Sequence, residues 1–180
     1  NIHVSGAATL PSLSVLPDAG LEDTPIALSI GAALLDIDGS ETLRIVINNV
    51  PAGAILSAGT NNHDGSWNLT TAQLSGLTFT PPAHHSGVIS LDIQAISSEN
   101  GTQAIASASL PVSVGGVATA PSLSVSAATA LEDAPIPLVI TAALLDTDES
   151  ETLSLTIAGV PAGASLSAGT NNGNGTWTLT

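Results

Sequence analysis

Cysteine and methionine are both absent from this 180-residue chain. Disulfide bridges and thiolate metal sites are thereby excluded. Tyrosine is absent too, and aromatic residues make up 2% of the chain, as two tryptophans and one phenylalanine. With 43% hydrophobic residues and a mean hydropathy of +0.42, the chain can still bury a core, built from Val, Ile, Leu and Ala. Positive charge is the scarcest commodity: Arg44 stands alone against 15 acidic residues, for a formal net charge of −14. Binding to nucleic acid or to an anionic membrane depends on Lys and Arg, so neither is an expected partner, whereas cations are. Charged residues are only 9% of the total, leaving a surface of Ser, Thr, Asn and Gly. No apolar run approaches the roughly 20 residues of a membrane-spanning helix, and no membrane insertion is expected of this segment. The lack of cysteine fits an extracellular protein stabilised by metal as well as a cytosolic one, so composition alone does not fix the compartment.

What the chain does have is repetition. PSLSV at 11–15 returns at 121–125, LEDTPI at 21–26 returns as LEDAPI at 131–136, and GTNNHDGSWNLT at 59–70 returns as GTNNGNGTWTLT at 169–180. The offset is 131 − 21 = 110 residues throughout, a period of whole domains rather than of a solenoid. Copying one domain yields length, stiffness or avidity, which points to a stalk. The opening NIHVSGAATLP also matches PVSVGGVATAP at 111–121. We therefore expect residues 1–9 to be the tail and linker of a preceding repeat, 10–114 a complete repeat, 115–120 a linker, and 121–180 an incomplete second repeat. That last segment is expected to be completed by further chain or by a neighbouring molecule.

Alternating apolar and polar residues predict short strands over 12–15, 26–30, 42–47, 67–70, 77–80, 88–96 and 104–114. Turn signals fall between them: VPAG at 50–53, NNHDG at 61–65 and SENG at 98–101. The segments GAALLD (31–36) and TAQLSG (71–76) read as single helical turns. So many short strands with frequent turns predict an all-β fold of tandem antiparallel Greek-key β-sandwich domains, immunoglobulin-like in type.

The acidic residues are grouped. Glu22, Asp23, Asp36, Asp38 and Glu41 form one set, and Glu132, Asp133, Asp146, Asp148, Glu149 and Glu151 form its copy. Clustered like charges repel unless a cation neutralises them. Hard oxygen donors without cysteine suit Ca²⁺, which takes about 6–8 oxygens. In DIDGSE, Asp36 and Asp38 alternate in a tight loop relieved by Gly39, and Glu22 and Asp23 would reach the same point if both segments meet at one pole of the sandwich. The same residues also read as solvated turns, since Asp-Gly-Ser is ordinary turn chemistry. Neither the EF-hand spacing nor the glycine-rich calcium nonapeptide is present, and Glu149 replaces Gly39 in the second copy.

LEDTPIALSI, DIDGSETL, VPAGAILSAGTNN and LSGLTFTPP together resemble the cadherin-like and immunoglobulin-like tandem repeats of giant bacterial surface proteins, including RTX-type adhesins exported by type I secretion. The resemblance spans essentially the whole chain. It implies a Greek-key sandwich, an extracellular array at the bacterial surface, neighbouring repeats as partners, and Ca²⁺ that stiffens the rod. Glu22 with Asp36 and Asp38, and Glu132 with Asp146 and Asp148, match the calcium-ligand positions of cadherins. The pattern departs from cadherins in the linker, where GGVATAP carries no carboxylate, and before Val88, where no DRE-like motif occurs. A metal held within one domain's end is the arrangement these departures favour. Asp92 in LDIQA is a further candidate ligand, or a solvent-facing strand residue.

Trp67 and Trp177 occupy the same repeat position, as sugar-binding aromatics or as side chains packed beside their hairpin. His84 and His85 read as a loop pair. Nothing in the repeat assembles a nucleophile, a base and an oxyanion donor, so an enzyme is not expected. The sequence points to a calcium-stabilised spacer repeat of a long adhesin or surface filament. The alternatives are a carbohydrate-binding sandwich using the NNHDGSW loop, or a filament subunit completed by another copy.

Overall fold

A computed structural model describes residues 6–146 and 148–180; the expected tail of a preceding repeat lies partly outside them, over residues 1–5. Internal contacts divide the chain into two units, with the boundary between Val117 and Ala118. Both are built of strands, and the fold is all-β.

In the first unit the strands are β1 (Ser12–Leu16), β2 (Asp18–Leu21), β3 (Ile26–Ala27), β4 (Ser29–Ala33), β5 (Thr42–Asn48), β6 (Ile55–Leu56), β7 (Thr60–Asn61), β8 (Trp67–Leu69), β9 (Thr78–Thr80), β10 (Gly87–Glu99) and β11 (Thr102–Gly115). A single 3₁₀ turn, Thr71–Leu74, precedes β9, in the place where TAQLSG predicts a helical turn. The other predicted turn, GAALLD, is instead strand over its first three residues, because Gly31, Ala32 and Ala33 pair with Ser14, Leu13 and Ser12 of β1. Pairing across the sheet overrides a local preference that three small residues express weakly.

The longest elements are β10 and β11, an antiparallel hairpin running from Gly87↔Val114 to Glu99↔Thr102. Its two-residue connection is Asn100-Gly101, with φ of 46° and 79°, the left-handed pair that a tight hairpin requires and that Asn-Gly supplies at least cost. This hairpin centres a six-stranded sheet of order β2-β11-β10-β5-β8-β7. Against expectation, one pairing is parallel: β2 lies beside β11, with Val112↔Asp18 and Gly115↔Leu21. Pro17, between β1 and β2, fixes φ and has no N–H to continue a ladder, and the chain changes sheets there. Upstream of it β1 pairs with β4, and downstream β2 joins the six-stranded sheet.

A three-stranded sheet, β3-β9-β6, supplies the second layer. Ile26, Leu56 and Phe79 from this sheet share one apolar core with Ile45, Ile47, Leu91, Ile93, Leu110 and Val112 from the larger one. The arrangement is β-sandwich-like, and it follows from period-two alternation: in β10, Leu91, Ile93 and Ala95 point inward, while Ser90 and Asp92 are exposed. Phe79 is fully buried, paired in register with Ile26 on one side and Leu56 on the other.

The second unit contains β12 (Ser122–Ser126), β13 (Val139–Ala143), β14 (Leu155–Ala158), β15 (Thr170–Asn171) and β16 (Thr176–Leu179). Its pairings reproduce those of the first unit at the 110-residue offset. Ser122↔Ala143 repeats Ser12↔Ala33, and Ile157↔Trp177 repeats Ile47↔Trp67.

Because Phe79 joins both layers and is the largest side chain in the core, Phe79→Ala is expected to lower the stability of the first unit by about 3–5 kcal/mol. Urea denaturation of the full chain, followed by amide signals of β10, measures this.

Candidate functional site

Apart from Asp92, the candidate ligands of the first unit lie at its two opposite ends. The ends are set by β11, whose span from Thr102 to Gly115 is about 40 Å at the usual rise per residue. Glu22 belongs to the Gly115 end. Its backbone N–H donates to the Gly115 carbonyl over 2.9 Å, and its side-chain Oε1 accepts the N–H of Val117. Glu41 belongs to the Thr102 end, since it immediately precedes Thr42, which pairs with Ser98 near the tip of the β10–β11 hairpin. Within the first unit, therefore, Glu22 and Asp23 do not meet Asp36, Asp38 and Glu41 at one pole. Sequence neighbourhood suggested a single cluster, but β3 and β4 carry the chain from one end to the other between the two groups.

At the Thr102 end, Glu41 is buried, and its Oε1 accepts the N–H of Thr9. The Thr9 carbonyl in turn accepts Ser97 Oγ, 2.5 Å away, and Ser97 is fully buried. The segment entering β1 is thus held through its backbone, by a carboxylate and a hydroxyl. Glu99, outside both acidic groups of the sequence, also sits at this end and is buried. Its position was hidden because it lies 58 residues after Glu41, and only the β5–β10 pairing brings the two to the same end.

The loop after β4 is shaped by successive side-chain caps. Asp36 Oδ1 accepts the N–H of Asp38 over 3.1 Å, and Asp38 Oδ1 accepts the N–H of Ser40 over 2.8 Å and its hydroxyl. The Ser40 hydroxyl, followed by the Ser40 amide, holds the Asp38 carboxyl below the ordinary aspartate range. Asp36 is half-buried and Asp38 exposed.

At the Gly115 end, Glu22 is 2% exposed. Asp23 adopts a φ of 55° and is exposed. Its Oδ1 accepts the N–H of His84 over 3.0 Å, and its Oδ2 lies 3.4 Å from His84 Nδ1. One member of the loop histidine pair thereby ties the segment before β10 to the turn after β2. Asp92 belongs to neither end. It lies on the exposed face of β10, where its Oδ2 accepts Asn49 Nδ2 over 2.6 Å.

The second unit repeats the loop and the strap. Asp146 Oδ1 accepts the N–H of Asp148 over 3.0 Å, Asp148 Oδ1 accepts the N–H of Ser150 over 2.8 Å, and Glu151 Oε1 accepts the N–H of Thr119. Glu149 takes a φ of 70° where Gly39 takes 88°, so the loop keeps its left-handed residue even without glycine. Glu132 and Asp133 are exposed, with Asp133 at a φ of 60° matching Asp23.

The chemistry of these groups is common to both units. Glu22, Glu41 and Glu151 each use one carboxylate oxygen on a backbone amide, and the other oxygen is buried without a hydrogen-bond partner. A buried acceptor without a donor is costly, more so when it is ionised. A hard cation is one kind of partner that satisfies such an oxygen. No family model, curated protein or solved structure matches this chain.

Because hydrogen bonds to Ser40 favour the ionised form of Asp38, the folded-state pKa lies below the unfolded one. The stabilisation from this contact is present above about pH 4 and is lost as pH falls through the lower, folded-state value. We expect Ser40→Ala to return the Asp38 carboxyl toward the ordinary range, read as the midpoint of its carbonyl-carbon NMR titration. An unchanged midpoint would contradict the capping geometry.

Proposed function

We propose that this chain is a spacer segment of a long secreted bacterial surface adhesin or filament, built from Greek-key, cadherin-like and immunoglobulin-like repeats that Ca²⁺ stabilises outside the cell. In this reading the repeats give reach and stiffness, their partners are neighbouring repeats, and catalysis plays no part. The observation that carries it is the recurring carboxylate strap: Glu41 on Thr9, and Glu151 on Thr119, each hold the segment that enters the unit through its backbone. The buried second oxygen of each glutamate supports the cation. Asp36, Asp38 and Glu41 would contribute ligands at one end of the first unit and Glu22 and Asp23 at the other, with Glu132, Asp133, Asp146, Asp148 and Glu151 as the copy. Bound Ca²⁺ would neutralise oxygens that otherwise repel, and the net charge of −14 would keep the chain expanded where calcium is scarce.

Thermal melts of the full chain with calcium and with chelator test this. The midpoint is expected to rise with calcium, each site contributing about 2.7 kcal/mol at a hundredfold excess over its dissociation constant. Asp36→Asn with Asp38→Asn keeps the turn acceptors and removes the charge, so the response of the first unit should shrink. Identical midpoints in calcium and chelator would overturn the proposal.

A second reading, carbohydrate binding, is favoured by one repeated feature. A shallow pocket of about 280 Å³ lies between Trp67, Asn61 and the Val50–Ala54 turn, and its counterpart of about 290 Å³ lies between Trp177, Asn171 and residues 160–164. Glycan binding that disappears in Trp67→Ala and Trp177→Ala with an unchanged fold would establish that activity; no binding across a glycan array would remove it.

A further inference from the structure

The second unit carries an open apolar groove of about 870 Å³, lined by Ile136, Leu138, Leu155, Ile157, Leu166 and Leu179 among others. At the 110-residue offset these six residues correspond to Ile26, Leu28, Ile45, Ile47, Leu56 and Leu69, all of them buried in the core of the first unit. The contrast is large: Ile26 is 3% exposed and Ile136 55%, Leu28 is 7% exposed and Leu138 52%. Large uncovered apolar surfaces mark binding sites.

The first unit shows what covers such a surface. Phe79 of β9 pairs with Ile26 and Leu56, the Leu77 carbonyl accepts the N–H of Leu28, and Ile93 and Ala95 of β10 stand opposite Ile47 and Ile45. The cover is therefore a set of strands, and it satisfies backbone edges as well as side chains. In the second unit, among the described residues, β14 pairs on one side only, with β16, whereas its counterpart β5 lies between β8 and β10. An apolar groove beside an unpaired strand edge selects an extended polypeptide with alternating apolar residues, rather than a helix or a small apolar molecule.

We infer that this groove receives a strand segment with the sequence pattern of residues 71–114, supplied by a further copy of that segment. The copy within this chain is committed to the first unit, where Leu77, Phe79, Leu91, Ile93, Leu110 and Val112 are almost fully buried. Taking it from a second molecule would open that molecule's own core, so exchange between identical chains is disfavoured. The inference rests on the groove and the repeat, and it is independent of the calcium reading.

The test compares the 180-residue chain with a version extended after Thr180 by a second copy of residues 71–114. Amide hydrogen exchange is expected to slow at least tenfold over residues 136–140, 155–158 and 176–179 in the extended chain. Two controls keep the result interpretable: an appended segment carrying Phe79→Asp and Ile93→Asp, and Ile157→Asp with Leu166→Asp in the groove itself. Each should abolish the gain while leaving exchange in the first unit unchanged. Unchanged exchange in the extended chain would overturn the inference. So would a concentration-dependent dimer of the unextended chain that protects the same residues, because the occupant would then be a second copy.

Discussion

The β10–β11 hairpin is the constraint from which the rest of the first unit follows. Its strands contribute Leu91, Ile93, Ala95, Leu110, Val112 and Val114 to the core, and every other strand of the large sheet is added to one of its two edges. The tip, at Asn100-Gly101, is local and inexpensive to close, because a two-residue connection orders little chain. Its length separates the two ends by about 40 Å, and with them the two groups of carboxylates. Shortening the hairpin would remove apolar surface from the core and bring like charges nearer at the same time.

The second recurring device is the glutamate that accepts a backbone amide. Glu41 and Glu151 recur at the same repeat position and bind the equivalent residues, Thr9 and Thr119, and Glu22 binds Val117 in the same manner. These contacts hold two amides of GGVATAP, those of Val117 and Thr119, each to its own unit. Two glycines would leave the linker free, yet its residues on either side of the unit boundary are each hydrogen-bonded to the unit they belong to. A charged acceptor makes the stronger bond.

Much of the strand pattern was legible because alternation survives in β1, β5, β10 and β11, and because Asn-Gly marks its hairpin turn without tertiary context. Four features were not. The strand β2, DAGL, is too short and mixed to alternate visibly, and its parallel pairing depends on Pro17 redirecting the chain. GAALLD is poor in β-branched residues, and its first three residues become strand only because β1 lies beside them. The division of the acidic residues between two ends was hidden for a related reason: Glu22 and Glu41 are 19 residues apart in the chain, but a sandwich places consecutive segments at opposite ends of its strands. Glu99 was the converse case, distant in sequence and brought to the end of Glu41 by strand pairing alone.

The two copies also distinguish turn formation from charge. In the β7–β8 hairpin, Asp64 Oδ1 accepts the N–H of Ser66, and at the equivalent place Asn174 Oδ1 accepts the N–H of Thr176. An amide performs the turn as well as a carboxylate, and at that position the chain uses either. The loop after β4 has the same local chemistry, an Oδ1 accepting the amide two residues on, yet Asp36 and Asp38 are matched by Asp146 and Asp148. Asparagine would satisfy those turns without the repulsion of adjacent charges. Gly39, meanwhile, gives way to Glu149, which adds a further negative charge to a loop that already carries two. Where the backbone alone sets the requirement the residue varies, as Gly39 and Glu149 show, whereas the loop after β4 keeps both of its carboxylates in each copy.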